Sequence, residues 1–161
     1  MDAGVLEISG SLTGTTSLSI ASGGVVYVAG GLLSVSGGIT NNGIFKESGT
    51  SSIALTGTFV NDGVLDLINA PSTLPPNFVN NGTVLYASNM LVQQVSVSGT
   101  TFNVGIESYL EHNYQLQRAT SISNATWTNV GASQAGNGST LEFTDPSITG
   151  TQGFYRIMVS P

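Results

Sequence analysis

Nine carboxylates, one histidine, five tyrosines and three basic residues are the side chains of this 161-residue sequence with the most obvious chemistry. Glycoside hydrolysis would need two of the carboxyl groups held about 5–10 Å apart across a sugar. The acids of the first half are instead spread about one to every twenty residues, as Glu7, Glu47 and Asp66 illustrate. His112, in "YLEHNYQ", has Glu111 beside it, but one histidine without any cysteine cannot complete an ordinary zinc site. A Gly-x-Ser-x-Gly nucleophile turn is absent as well. The expectation is therefore no catalytic residue, no metal, no cofactor and no enzymatic activity, with His112 at a solvent-facing strand end.

A weaker pattern points to binding. Glu7, Tyr27, Lys46, Asp66 and Tyr86 fall at equivalent places in successive segments. They could form an outward strip for glycans, with tyrosines against sugar rings and charges on hydroxyls. The competing interpretation, which the spacing favours, is a solvated ladder with a Lys46/Asp66 pair, each contact contributing a few tenths of a kcal/mol. Asn81, Asn124 and Asn137 open Asn-x-Ser/Thr triplets and are candidate glycosylation sites.

The elements that must carry these residues are set by a repeat. Gly4, Gly24, Gly43, Gly63 and Gly82 recur every 19–20 residues, and "NNGIFKES", "NDGVLDLI" and "NNGTVLYA" restate one phrase. One column after the glycine is β-branched (Val5, Val25, Ile44, Val64, Val84) and the next is bulky (Leu6, Val26, Phe45, Leu65, Leu85), with one threonine inserted in the last copy. A second apolar set follows, with Leu18 and Ile20, Leu33 and Val35, Ile53 and Leu55, and Leu74; a third contains Ile39, Phe59 and Phe78. Such a period predicts coils that bury their apolar faces only by stacking. Leucine-rich repeats are excluded by the missing Leu-x-x-Leu-x-Leu pattern. A set of β-hairpin turns remains as an alternative, against which the even spacing argues.

Residues 1–88 are thus expected to form a short parallel β-helix of about five coils, with Asn/Asp-Gly supplying positive φ at the corners. Glu47 falls in the column of Ile8, Val28 and Leu67, where it marks a bulge or an outward turn. The prolines of "PSTLPPN" at 71–77 break the fourth coil and predict a protruding loop and possible contact site. This region resembles the β-helical passenger and repeat regions of bacterial autotransporters and large adhesins.

Residues 89–161 read differently. Alternation in "LVQQVSV", "TTFNV", "YQLQR", "TWTNV", "TLEFT" and "FYRIMV" predicts six strands of a small antiparallel β-sandwich. Its expected core is Trp127, Tyr114, Phe143, Phe154 and Tyr155. Arg118 and Arg156, on adjacent strands, are expected to brace it against Glu142, and Asp145-Pro146 to initiate a turn. The run from "YQLQR" through "TWTNVG" and "FTDP" to "GFYRI" resembles the C-terminal segment of large secreted, repeat-rich proteins of environmental Gram-negative bacteria. That resemblance implies an immunoglobulin- or fibronectin-like module on an exported chain.

Only 7% of residues are charged, against roughly 25% in an ordinary soluble domain. The net charge of −6 offers no footprint for nucleic acid. No segment has the roughly 20 apolar residues of a membrane span, and "MDAGVLEISG" lacks the features of a leader peptide. Low charge with abundant Ser, Thr, Asn and Gly suggests an extracellular or cell-surface protein whose leader is absent from this sequence. "MDAGVLEISG" also enters the repeat at once, so the first coil is expected to be covered by upstream chain or by another subunit. Copies of itself are the expected partner, stacked head to tail into a filament or stalk. The alternative is a carbohydrate-binding module with surface glycans as ligands.

Overall fold

The structure, a computed structural model, describes residues 4–71, 73–148, 150 and 152–161. It divides into two compact units, residues 1–89 and 90–161. The division lies one residue from the expected boundary.

The first unit is a parallel β-solenoid. Its first coil has three sides, β1 (Val5–Ile8), β2 (Ser11–Thr15) and β3 (Leu18–Ile20). The second coil repeats them as β4 (Val25–Val28), β5 (Leu32–Val35) and β6 (Ile39–Asn41), and the third as β7 (Ile44–Ser48), β8 (Ser52–Leu55) and β9 (Phe59–Asn61). The fourth has β10 (Val64–Asn69) and β11 (Phe78–Asn80), and β12 (Thr83–Tyr86) begins a fifth. Stacking gives parallel sheets in the order β1-β4-β7-β10-β12, β2-β5-β8 and β3-β6-β9-β11. Pro71 and Thr73–Pro76 occupy the fourth coil where a strand would follow β8, and Ser72 lies outside the described residues. Proline has no N–H to donate, so the middle sheet stops there.

The interior is a stack of like residues. Val28, Leu33, Ile39, Phe45, Phe59, Leu65 and Leu67 are fully enclosed. Phe45, Phe59 and Phe78 meet edge to face with centroids 5.1 and 5.7 Å apart, a geometry that adds to their area burial. Three expected columns shift. Leu18 stacks beneath Ile39 and Phe59, whereas Leu12 underlies Leu33 and Ile53. In β12 no residue is inserted: Thr83 continues the Val64 column and Val84 the Leu65 column.

The repeated glycines also act otherwise than expected. Gly43, Gly63 and Gly82 do not have positive φ; they stack directly on one another. A Cβ on Gly63 would fall on the carbonyl oxygen of Gly43, and one on Gly82 on that of Gly63. The requirement is close approach of successive coils, for which only glycine leaves room.

The second unit is built from antiparallel sheets. β13 (Val92–Ser98), β14 (Thr101–Glu107) and β18 (Thr140–Asp145) form one, in the order β13-β14-β18. In the other, β15 (Asn113–Ala119) pairs β19 (Phe154–Ser160) along one side and the short β16 (Thr128–Asn129) and β17 (Gln134–Ala135) along the other. The β17 pairing was not anticipated. Phe102, Val104, Ile106, Tyr114, Leu116, Leu141 and Phe143 share one core, with Tyr155, Ile157 and Val159 packed against it. Strand alternation therefore sends Phe154, Arg156 and Met158 to the other face, which removes Phe154 from its expected core position.

Candidate functional site

The glycan-facing strip is only partly assembled. Glu7, Tyr27, Lys46 and Asp66 do share one column of the first sheet, and the Lys46 Nζ lies 5.3 Å from the centre of the Tyr27 ring. The fifth place belongs to Leu85, because the absence of an insertion moves Tyr86 one position along, opposite Leu67 and against the core. Lys46 and Asp66 are also only 3% and 2% exposed, so they do not present charges to a polymer passing over the surface.

What the sequence reading missed is an amide ladder beneath the repeated turns. Asn41 and Asn61 are completely buried at the ends of β6 and β9, in register with Asn80 of β11. Asn41 Nδ2 donates to Asn61 Oδ1 at 2.7 Å, and Asn61 Nδ2 to Asn80 Oδ1 at 2.7 Å. The remaining hydrogens go to backbone carbonyls, from Asn41 to Val64 at 2.8 Å and from Asn61 to Thr83 at 3.0 Å. At the lower end, Asn41 Oδ1 accepts from the Gly43 N–H at 3.1 Å, and one coil further down the column is closed by buried Ile20. The signal was present in the three "N(N/D)G" copies, whose first asparagines share one column, buried in the first two and exposed in the third.

A second buried polar group is handled differently. Glu47 lies in the inward column of Val28 with 8% exposure and does not make the expected outward turn. The neighbouring ladder shifts register between Asp66 and Asn69, so the expected bulge is in β10 rather than in β7. Glu47 Oε2 accepts a long 3.4 Å bond from Ser51 Oγ, and Oε1 has no partner among the described residues. Burial pushes its carboxyl up from 4.5 to about 7, only partly opposed by the Ser51 bond. Glu47 borders a pocket of about 300 Å³ walled by Ser51, Ser52 and Ile53 on one side and by Pro71 and Thr73–Pro76 on the other.

At the other end, β1, β2 and β3 are the terminal strands of their sheets. Val5 and Leu6 are 67% and 42% exposed, whereas Val25 and Val26, their partners one coil further on, are 7% and 5% exposed. Leu6, Leu18 and Ile20 line an open apolar depression on this edge.

In the second unit, His112 is buried rather than solvent-facing. Its ring meets Tyr114 edge to face at 6.4 Å, and its carbonyl accepts from the Gly136 N–H at 2.8 Å. Arg118 pairs with Asp145, at 2.7 Å, and not with Glu142; Glu142 instead accepts from Gln94 Nε2. Asp145 Oδ1 accepts from the Ser147 N–H at 3.1 Å, which is the turn expected at Asp145-Pro146, and Tyr155 donates to Oδ2 at 2.8 Å. Burial opposes ionisation of Asp145, but these three donors outweigh it and hold the carboxyl below its usual range. Trp127 is outside the core: it lies in the irregular segment before β16, where the Arg156 guanidinium sits 4.4 Å from its ring centre and donates to Gln117 Oε1 at 2.8 Å.

The three candidate glycosylation asparagines are all exposed. Asn81 Nδ2 donates to Asp62 Oδ1 and Asn137 Oδ1 accepts from the Ser139 N–H, while Asn124 occupies a turn with φ 58°. Among the described residues no three His, Asp or Glu side chains converge to hold a metal ion, and no helix is long and apolar enough to cross a membrane. No protein-family model, curated protein or solved structure matches the chain.

Proposed function

We propose that this chain is a non-enzymatic structural protein of the cell surface or extracellular space, a filament subunit or adhesin stalk that works by coil-on-coil stacking. The observation that carries this reading is the stacking itself, in which coils of one period repeat in register through three parallel sheets. At β1, Val5 and Leu6 are 67% and 42% exposed, whereas Val25 and Val26, one coil further on, are buried. An edge of this kind templates further strands unless it is covered. A coil of the same period fits it in register and spacing, because each sheet already repeats itself at about 4.8 Å. The scarcity of charge suits a surface of stacked copies, which would otherwise repel one another.

The carbohydrate-binding alternative draws little from the strip, since Tyr86 faces inward and Lys46 and Asp66 are covered. Electron microscopy of the full chain with light scattering on the same sample tests the stacking reading. Regular fibres that disappear in Leu6→Lys are expected. A monodisperse wild-type particle across the accessible concentration range overturns self-stacking.

A further inference from the structure

The pocket beside β8 lies outside the proposed stacking edge. Three features define it. It forms where the fourth coil gives up a strand, so the β8 edge at Ser52 and Ile53 faces prolines that cannot extend the ladder. Its volume of about 300 Å³ sits at the lower end of small-ligand sites, which run to about 1,000 Å³. Among the described residues one ionisable group borders it, Glu47, more than nine-tenths buried and with a carboxylate oxygen that none of their donors reaches.

Buried polar groups normally have partners, and a single unpaired carboxyl in a native core calls for an explanation. The solenoid interior does not need one here: Val28 and Ile8 fill the same column as plain hydrocarbon. The terminal torsion of a glutamate is broad, so the carboxyl can turn toward the pocket within its rotamer. The Ser51 hydroxyl reaches it, and Ser52, Ile53, Leu74 and Pro75 complete the wall. Lys46, next along β7, and Asp66, across from it on β10, belong to the opposite face of the sheet, and no cationic side chain lines the pocket.

We infer that this pocket binds a primary ammonium group carried on a short aliphatic or sugar carbon, with Glu47 as its counter-ion. The ammonium supplies the donors that the carboxylate lacks, Ser51 Oγ accepts another of its hydrogens, and the carbon skeleton lies against Ile53, Leu74 and Pro75. A charge-assisted pair in a low-dielectric site is stronger than one between neutral groups. Binding also relieves the desolvation that burial imposes on Glu47, and so depends on its ionisation.

The test is a titration of the full-length protein with n-butylammonium and with glucosamine, using glucose and N-acetylglucosamine as uncharged controls. Backbone amide shifts at Ser51, Ser52 and Ile53 give the readout. Expected are saturable shifts with the charged probes alone and loss of binding in Glu47→Gln. For butylammonium, which stays protonated throughout, affinity should rise about tenfold or more between about pH 5.5 and pH 8.5. Glucosamine, whose ammonium deprotonates at about pH 8, should bind best near neutral pH. Tighter binding of glucosamine assigns the site to amino sugars, and tighter binding of butylammonium to simple amines. Glu47→Asp, which keeps the charge on a shorter stem, should bind weakly with the same direction of pH dependence. Equal binding by the uncharged controls, binding retained in Glu47→Gln, or no shift at millimolar probe overturns the inference.

Discussion

The corner held by Asn41, Asn61 and Asn80 and the column end held by Glu47 both put polar side chains inside the same solenoid, with opposite outcomes. A primary amide carries donors and acceptors together, so each copy satisfies the one below it and is satisfied by the one above. Repetition turns a buried polar residue into a continuous chain of bonds, with Nδ2 to Oδ1 distances of 2.7 Å at both steps. A carboxylate has acceptors only. Its neighbours in the column are hydrocarbon, and the one hydroxyl within reach is 3.4 Å away. In a stacked fold the decisive property of a buried polar side chain is whether it complements a copy of itself.

The most damaging way to break that comparison is to interrupt the ladder at its centre. Asn61→Ala leaves the buried Asn41 amide and the part-buried Thr83 carbonyl without these partners. At roughly 1–3 kcal/mol for each buried group left unsatisfied, the expected loss is about 2–5 kcal/mol. Urea unfolding monitored by circular dichroism measures it. A change below about 0.5 kcal/mol would mean that the ladder contributes nothing beyond shape.

Glu47 gives the next largest effect, and its sign is the reverse of the usual carboxylate. Its folded carboxyl titrates at about 7 and its unfolded one at 4.5, so the native state holds its proton more tightly. The associated stability is fully present below about pH 4.5 and is lost as pH rises toward 7 and through it. The full span is on the order of 3 kcal/mol. Glu47→Gln keeps the shape without the ionisation. Its stability should change less between pH 4.5 and pH 8 than the wild type's, and it should be the more stable of the two at pH 8. Parallel pH profiles for the two proteins would show that the Glu47 carboxyl is not desolvated.

Much of this scaffold is legible in the sequence, for an identifiable reason. Val25, Phe45 and Leu65 recur at one period, and in a parallel solenoid register in sequence is register in space. Glu47 falls in the same periodic column, but the bulge or outward turn expected there is not found at Glu47, which stays inward beside Val28. Errors arose where a local irregularity broke the period. An assumed insertion at Thr83 put Tyr86 on the outer face, whereas the strand runs through without one. The role of the asparagines was hidden because Asn-Gly also signals a turn with positive φ. Only the stacking of Gly43 on Gly24 reveals a requirement for close approach. In the second unit no repeat sets the register, so Trp127 was assigned to the core by its size alone. The fold instead leaves it beneath Arg156.

The second unit supplies the control that sharpens the comparison. Asp145 is a buried carboxylate like Glu47, at 4% exposure, but it accepts from Arg118, the Ser147 N–H and Tyr155. Its pKa moves down where that of Glu47 moves up. Tyr155→Phe removes one of the three donors and leaves the ring stacked on Phe102 at 3.8 Å. Because two donors remain, the expected loss is only about 1 kcal/mol at neutral pH. The acid limb should respond as well. A lowered carboxyl contributes stability that is present above its unfolded value of 3.8 and is lost as pH falls through the folded value. With its pKa released toward normal, the variant should lose less stability on acidification than the wild type. Acid-unfolding curves that differ by a constant offset would mean that the Tyr155 hydroxyl acts through packing and leaves the charge on Asp145 unaffected.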